Sequence, residues 1–161
     1  MKWRKWITVV LGLGFLIYTF VFVARDLAPF LKFGYPGVFL FNLVGPGMFL
    51  IPFLAPHMNV PVLAFVSALG MAFNDSVSWM VGKNGDVVLP RSNRIARIEG
   101  IMKKYGPFAL FFWALIPFPY DLIGIIAGYL QVPYRFFVLA TFLGRFVRFL
   151  LLGFGTIAIV T

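Results

Sequence analysis

The sequence predicts an all-α integral membrane protein: an N-terminal transmembrane helix, then an inverted repeat whose halves each hold a re-entrant helical hairpin plus a transmembrane helix. Three observations point there. The 161 residues are 61% hydrophobic and 19% aromatic but only 12% charged, with mean hydropathy +0.96; soluble domains lie nearer half apolar and a quarter charged. Two apolar segments are interrupted at their centres by glycine and proline. Landmarks recur after roughly 72 to 74 residues, Val60-Pro61 with Val132-Pro133 and Leu69-Gly70 with Leu143-Gly144, as an internal repeat requires. The length allows one membrane domain over 1–161, with too little polar sequence for a separate soluble module.

The first element is a transmembrane helix over 7–24, behind the basic start MKWRKW. A cleaved signal peptide fits less well: the apolar run exceeds a usual h-region, and Phe22 occupies the place of the small residue that should precede cleavage at Ala24. The basic start favours a cytoplasmic N-terminus, with the plasma (inner) membrane as the expected location.

Residues 35–56 are long enough to span but carry Gly45, Pro46 and Gly47 at their centre. Proline removes a backbone donor and glycine loosens a helix, so the segment breaks there into two half-helices, a re-entrant hairpin. Non-helical backbone at membrane depth survives only where protein or water satisfies it, so the break faces inward. One kinked spanning helix is the alternative.

A cleaner transmembrane helix covers 60–82, with Ser67, Gly70, Asn74 and Ser78 on one face and Asp75 beside them. Small and polar residues there also suit plain helix packing. The polar stretch that follows holds Lys83, Arg91, Arg94, Arg97, Lys103 and Lys104 against Asp86 and Glu99, which places it in the cytoplasm. Within 86–105, Ile95, Ile98, Ile101 and Met102 repeat at helical spacing, so the segment is read as an amphipathic helix on the inner leaflet, or as a solvated charge run.

The second hairpin, 107–130, breaks at Pro117 and Pro119, and Asp121 directly follows. That carboxylate either caps the second half-helix or serves a substrate or proton. The last transmembrane helix, 136–160, contains Arg145 and Arg148. Counted from Arg135, Arg145 lies roughly 15 Å in, near the middle of a hydrocarbon core about 30 Å thick. Each such charge costs roughly 2.5 to 3.5 kcal/mol on insertion scales, so a partner or a wet cavity is expected.

Composition also excludes. The net charge of +9 lies among Trp, Phe and Leu, with no basic soluble face for nucleic acid; anionic lipid headgroups are the expected counter-charge. Cysteine is absent and His57 is the single histidine, so neither thiolate chemistry nor a metal site is indicated, and no cofactor is expected. No Ser-His pairing emerges, which disfavours an intramembrane enzyme.

The run Asn74-Asp75-Ser76-Val77-Ser78-Trp79-Met80-Val81-Gly82-Lys83-Asn84-Gly85 resembles one from the DedA proteins, also called SNARE-associated Golgi or VTT-domain proteins. So do Lys104-Tyr105-Gly106, Ile116-Pro117 through Asp121, Ala127-Gly128, Phe137 and Gly144. The resemblance covers roughly residues 34–155 and looks like a shorter subgroup. It implies a lipid carrier with two facing re-entrant hairpins that moves phospholipids or polyprenyl-phosphate carriers between leaflets, with proton coupling in some members. Many relatives have acidic residues in the first hairpin, where this chain has Gly45-Pro46-Gly47 and Asn42 is the nearest polar residue. Arginines that often flank the second-hairpin proline fall here near Ala114 and Tyr120, and both departures count against proton coupling.

The expected function is therefore a lipid transporter or scramblase with a polar groove between the hairpins. Arg145 and Arg148, three apart, would clamp a phosphate, and Asp75 and Asp121 would neutralise them between substrates. Asn74 and Asn42 join the candidate substrate-binding residues. A proton- or sodium-coupled small-solute transporter and a non-transporting scaffold stay open, as does a homo-oligomer.

Overall fold

The computed structural model describes residues 14, 21, 27–44, 47–85, 93–117 and 120–160. The expected spanning helix over 7–24 lies outside them, apart from Gly14 and Val21, which are helical. All regular structure among the described residues is helical.

Helix α1 (Ala28–Val44) starts earlier than the hydropathy implied, because the chain turns within it at Gly34, with φ 58° and ψ −147°. A left-handed φ costs glycine almost nothing. Pro36 then falls in the first turn of the segment beyond, where a missing N–H is tolerated. A 3₁₀ turn, Gly47–Phe49, leads into the short α2 (Leu50–Leu54). Helix α3 (Val60–Asn84) is capped by Asn59, whose side chain accepts a hydrogen bond from the Val62 N–H at 3.2 Å. Helix α4 (Asn93–Tyr105) holds the described part of the amphipathic segment; its Ile95 and Met102 are buried while Arg97, Lys103 and Lys104 are exposed.

Gly106, with φ 55°, and Pro107 open α5 (Pro107–Leu115) just as Gly34 and Pro36 open the inner part of α1. Helix α6 (Tyr120–Tyr129) follows the second break and ends where the Val132 N–H reaches back to the Ala127 carbonyl at 3.0 Å, with Gln131 in the left-handed region. Helix α7 (Tyr134–Val160) completes the chain. Both interruptions thus fall where glycine and proline placed them. Helices α3 and α7 are long and apolar enough to cross a membrane.

Glycine lets these helices touch backbone to backbone. A Cβ on Gly70 of α3 would lie 2.8 Å from the Phe39 carbonyl oxygen and 2.9 Å from Asn42 Cβ. A Cβ on Gly144 of α7 would meet the Phe111 carbonyl oxygen and Ala114 Cβ. Gly82, Gly124 and Gly128 bring α3 against α6 in the same way, the small-residue contact that substitutes for a hydrophobic drive inside lipid.

Two apolar clusters result. One joins α1 and α2 to the start of α3 and to Phe149 of α7. The other joins α4, α5 and α6 to Trp79 and Phe137. Along both long helices the buried polar residues fall mainly between the clusters: Asp75 and Ser76 on α3, Thr141, Arg145 and Arg148 on α7.

Candidate functional site

The site begins with an ion pair. Arg145 Nε and Nη2 both lie 2.6 Å from Asp75 Oδ2, with Asp75 3% and Arg145 5% exposed. Its Nη1 points to Met71 Sδ at 3.7 Å, and its guanidinium lies 5.1 Å from the centre of the Tyr120 ring. Tyr120 is held in turn by Thr141, hydroxyl to hydroxyl at 2.8 Å. Asp75 therefore pairs with Arg145.

Arg148 is arranged differently. It is 9% exposed, and no carboxylate pairs with it among the described residues. Nη1 donates to the Ile116 carbonyl at 3.3 Å, and Nη2 contacts Met48 Sδ. Ile116 ends α5 at the second break, and Met48 lies in the 3₁₀ turn after the first. One guanidinium thus touches both interruptions. A thioether is a weak acceptor and a lone carbonyl a neutral one, so the cation keeps capacity for a stronger anionic partner.

Asp121 does not join this pair. It is exposed in the first turn of α6 and accepts a hydrogen bond from Ser78 Oγ at 3.0 Å, so the expectation that it would neutralise an arginine is not met. Asn74 donates to the Leu43 carbonyl at 2.7 Å, at the end of α1. Asn42 is fully buried; its Nδ2 donates to the Val38 carbonyl at 2.7 Å and its Oδ1 has no partner. Gly47 packs directly against that amide. Pro117 is exposed beside Ile116, while Gly45, Pro46 and Pro119 lie outside the described residues.

Both arginines are nine-tenths buried or more, so the site is occluded among the described residues. Aspartate, carbonyl and sulfur groups of the chain itself contact the two cations. The sequence alone assigned no binding role to Met48, Met71, Tyr120 or Thr141. The methionines carry no legible signal, but a tyrosine and a threonine in greasy segments are polar handles that need partners.

A VTT-domain family model matches residues 36–157. The chain belongs to the VTT-domain family. The matched region includes both breaks, the α3 helix, α7 as far as Ile157 and every residue of the buried polar site. No curated protein and no solved structure matches the chain. The VTT-domain family is membrane-associated and transporter-like, and two described helices of this chain are long and apolar enough to cross a membrane.

Proposed function

We propose that this VTT-domain protein moves phosphate-bearing lipid headgroups, of phospholipid or polyprenyl phosphate, between leaflets. In this reading α1 with α2, and α5 with α6, are re-entrant hairpins that enter from opposite faces. The observation that carries it is Arg148, a buried cation that no carboxylate pairs with among the described residues and that rests on both interruptions at once.

Pairwise register supports the inverted repeat. Phe39 and Asn42 meet Gly70 as Phe111 and Ala114 meet Gly144. Asn74 donates to the end of α1, and Arg148, its counterpart at the repeat spacing, donates to the end of α5. Each donor sits roughly 21 Å from the start of its long helix, so both half-helices stop near mid-membrane depth. Met71 and Arg145, also counterparts, touch one another, as residues near a pseudo-two-fold axis do.

The occluded site then works by exchange. A phosphate brings charged oxygens that outcompete a thioether and a carbonyl for Arg148. Arg145 can leave Asp75 to complete a bidentate grip, and Asp75 retakes it when the headgroup departs. The competing carboxylate keeps binding weak enough for release, which transport requires. The nearby α6 start adds free N–H groups and a positive dipole end.

The test is leaflet exchange of fluorescent phospholipid and of polyprenyl phosphate in liposomes, comparing wild type with Arg148→Ala, Arg145→Ala and Asp75→Asn. Exchange above empty vesicles that falls in Arg148→Ala supports the reading; exchange no faster than empty vesicles refutes it. A second reading, cation-coupled solute transport, draws on the unpartnered Asn42 Oδ1 beside the first break. Dependence on a sodium or proton gradient, lost in Asn42→Leu, would favour it.

A further inference from the structure

Two apolar clefts flank a ridge made by Phe108 and Phe112, one turn apart on α5, and only Ile116 is shared with the buried polar site. The ridge projects outward: the two rings are 74% and 59% exposed. The cleft on the α7 side encloses about 460 Å³ and is lined by Phe111, Phe136, Leu139 and Leu143 besides the ridge. The cleft on the α4 side encloses about 330 Å³ and is lined by Ile101, Tyr105, Trp113 and Ile116.

Each cleft includes an aromatic ring with a cation stacked on it. The Arg135 guanidinium lies 4.9 Å from the centre of the Phe136 ring, and Lys104 Nζ lies 5.0 Å from that of Tyr105. Both cations are exposed, and neither pairs with a carboxylate among the described residues. Arg135 sits in the first turn of α7 and Lys104 in the last turn of α4, next to the start of α5. At 1.5 Å per residue α5 is roughly 13 Å long, close to the hydrocarbon depth of one leaflet.

We propose that this face is a binding site for a two-chain anionic glycerophospholipid. One acyl chain lies in each cleft, astride the Phe108–Phe112 ridge, and the phosphate sits between Arg135 and Lys104. A single polyprenyl chain leaves one cleft unused. A zwitterionic headgroup carries no net charge for the cations to hold. The assignment rests on the membrane placement used above but not on leaflet transfer, for which it would serve as a loading position.

Trp113 reports on the smaller cleft, with Trp113→Phe isolating its signal. The full-length protein in phosphatidylcholine nanodiscs is titrated with bromine-labelled phosphatidylglycerol, phosphatidylcholine, lysophosphatidylglycerol and polyprenyl phosphate, and fluorescence quenching is measured. Phosphatidylglycerol is expected to quench most strongly, with a preference of about fivefold per cation over phosphatidylcholine, since each basic residue near an anionic surface contributes on the order of 1 kcal/mol. Arg135→Gln and Lys104→Gln should each remove about fivefold. Leu139→Trp, which fills the larger cleft, should weaken the two-chain lipid and spare the lyso form. Equal quenching by phosphatidylglycerol and phosphatidylcholine would overturn the proposal. So would binding of the lyso or polyprenyl lipid as tight as the two-chain one, or a preference that survives both cation substitutions. Leaflet exchange is scored on the same preparations: selective binding without exchange supports this site and removes only the transfer reading.

Discussion

Replacing Asp75 strands Arg145. Two donors of Arg145 converge on one Asp75 oxygen, each at 2.6 Å, and the two residues are 3% and 5% exposed. That places the pair near the buried limit, where removing one partner costs roughly 3 to 5 kcal/mol, against 0 to 1 for an exposed pair. Asp75→Asn keeps an acceptor but loses the charge, and charge-assisted bonds are about twice as strong as neutral ones. The Tyr120 ring cushions the loss by on the order of 1 kcal/mol. The expected cost is therefore roughly 2 to 3 kcal/mol for Asp75→Asn and the fuller 3 to 5 for Asp75→Leu. The double variant Asp75→Leu with Arg145→Met should recover most of the loss, because a buried pair replaced by apolar groups of similar volume is often neutral. Unfolding free energies by denaturant titration in mixed micelles measure all four corners of the cycle. A single-variant cost below about 1 kcal/mol, or a double variant no better than Asp75→Leu, would show that water already screens this pair and would refute the buried-site reasoning.

Arg148→Lys should fold normally yet slow leaflet exchange by about tenfold, because an ammonium lacks the fork that spans two acceptors; an unchanged rate would show that one point charge suffices. Gly144→Ala and Gly82→Ala should each destabilise by roughly 1 to 3 kcal/mol or more, because the added methyl meets the Phe111 and Ile125 carbonyls, and the same titration checks it. Single cysteines in the cysteine-free chain test the hairpins with an impermeant reagent. Lys32→Cys and His57→Cys should label from one face, Lys104→Cys and Tyr129→Cys from the other; labelling of any such pair from opposite faces would refute re-entry.

Much of this was legible in the residues. The glycine and proline at 45–47 and 117–119 foretold both interruptions, because a missing donor and a missing Cβ act locally, whatever the tertiary context. Arg145 and Arg148 announced a buried polar centre, because their insertion cost demands partners. Which partners was not legible. Asp75 and Asp121 read as equivalent candidates, and only the packing of α3 on α7 brings Asp75 to Arg145, while Asp121 is left exposed with Ser78. Sulfur ligands escaped altogether: Met48 and Met71 look like ordinary apolar residues until a guanidinium lies beside them. A sequence gives the cost of burying charge but not the means by which the fold meets it.

The glycine contact between α3 and α6 has a mechanical consequence. Gly82, Gly124 and Gly128 bring the backbones of the two helices into direct contact, with no rotamer at these three positions to swing aside. The two elements must travel as a single plank. Any gate that admits a headgroup to Arg148 has to part elsewhere, as at its contact with the Met48 thioether, a weak acceptor on a flexible side chain.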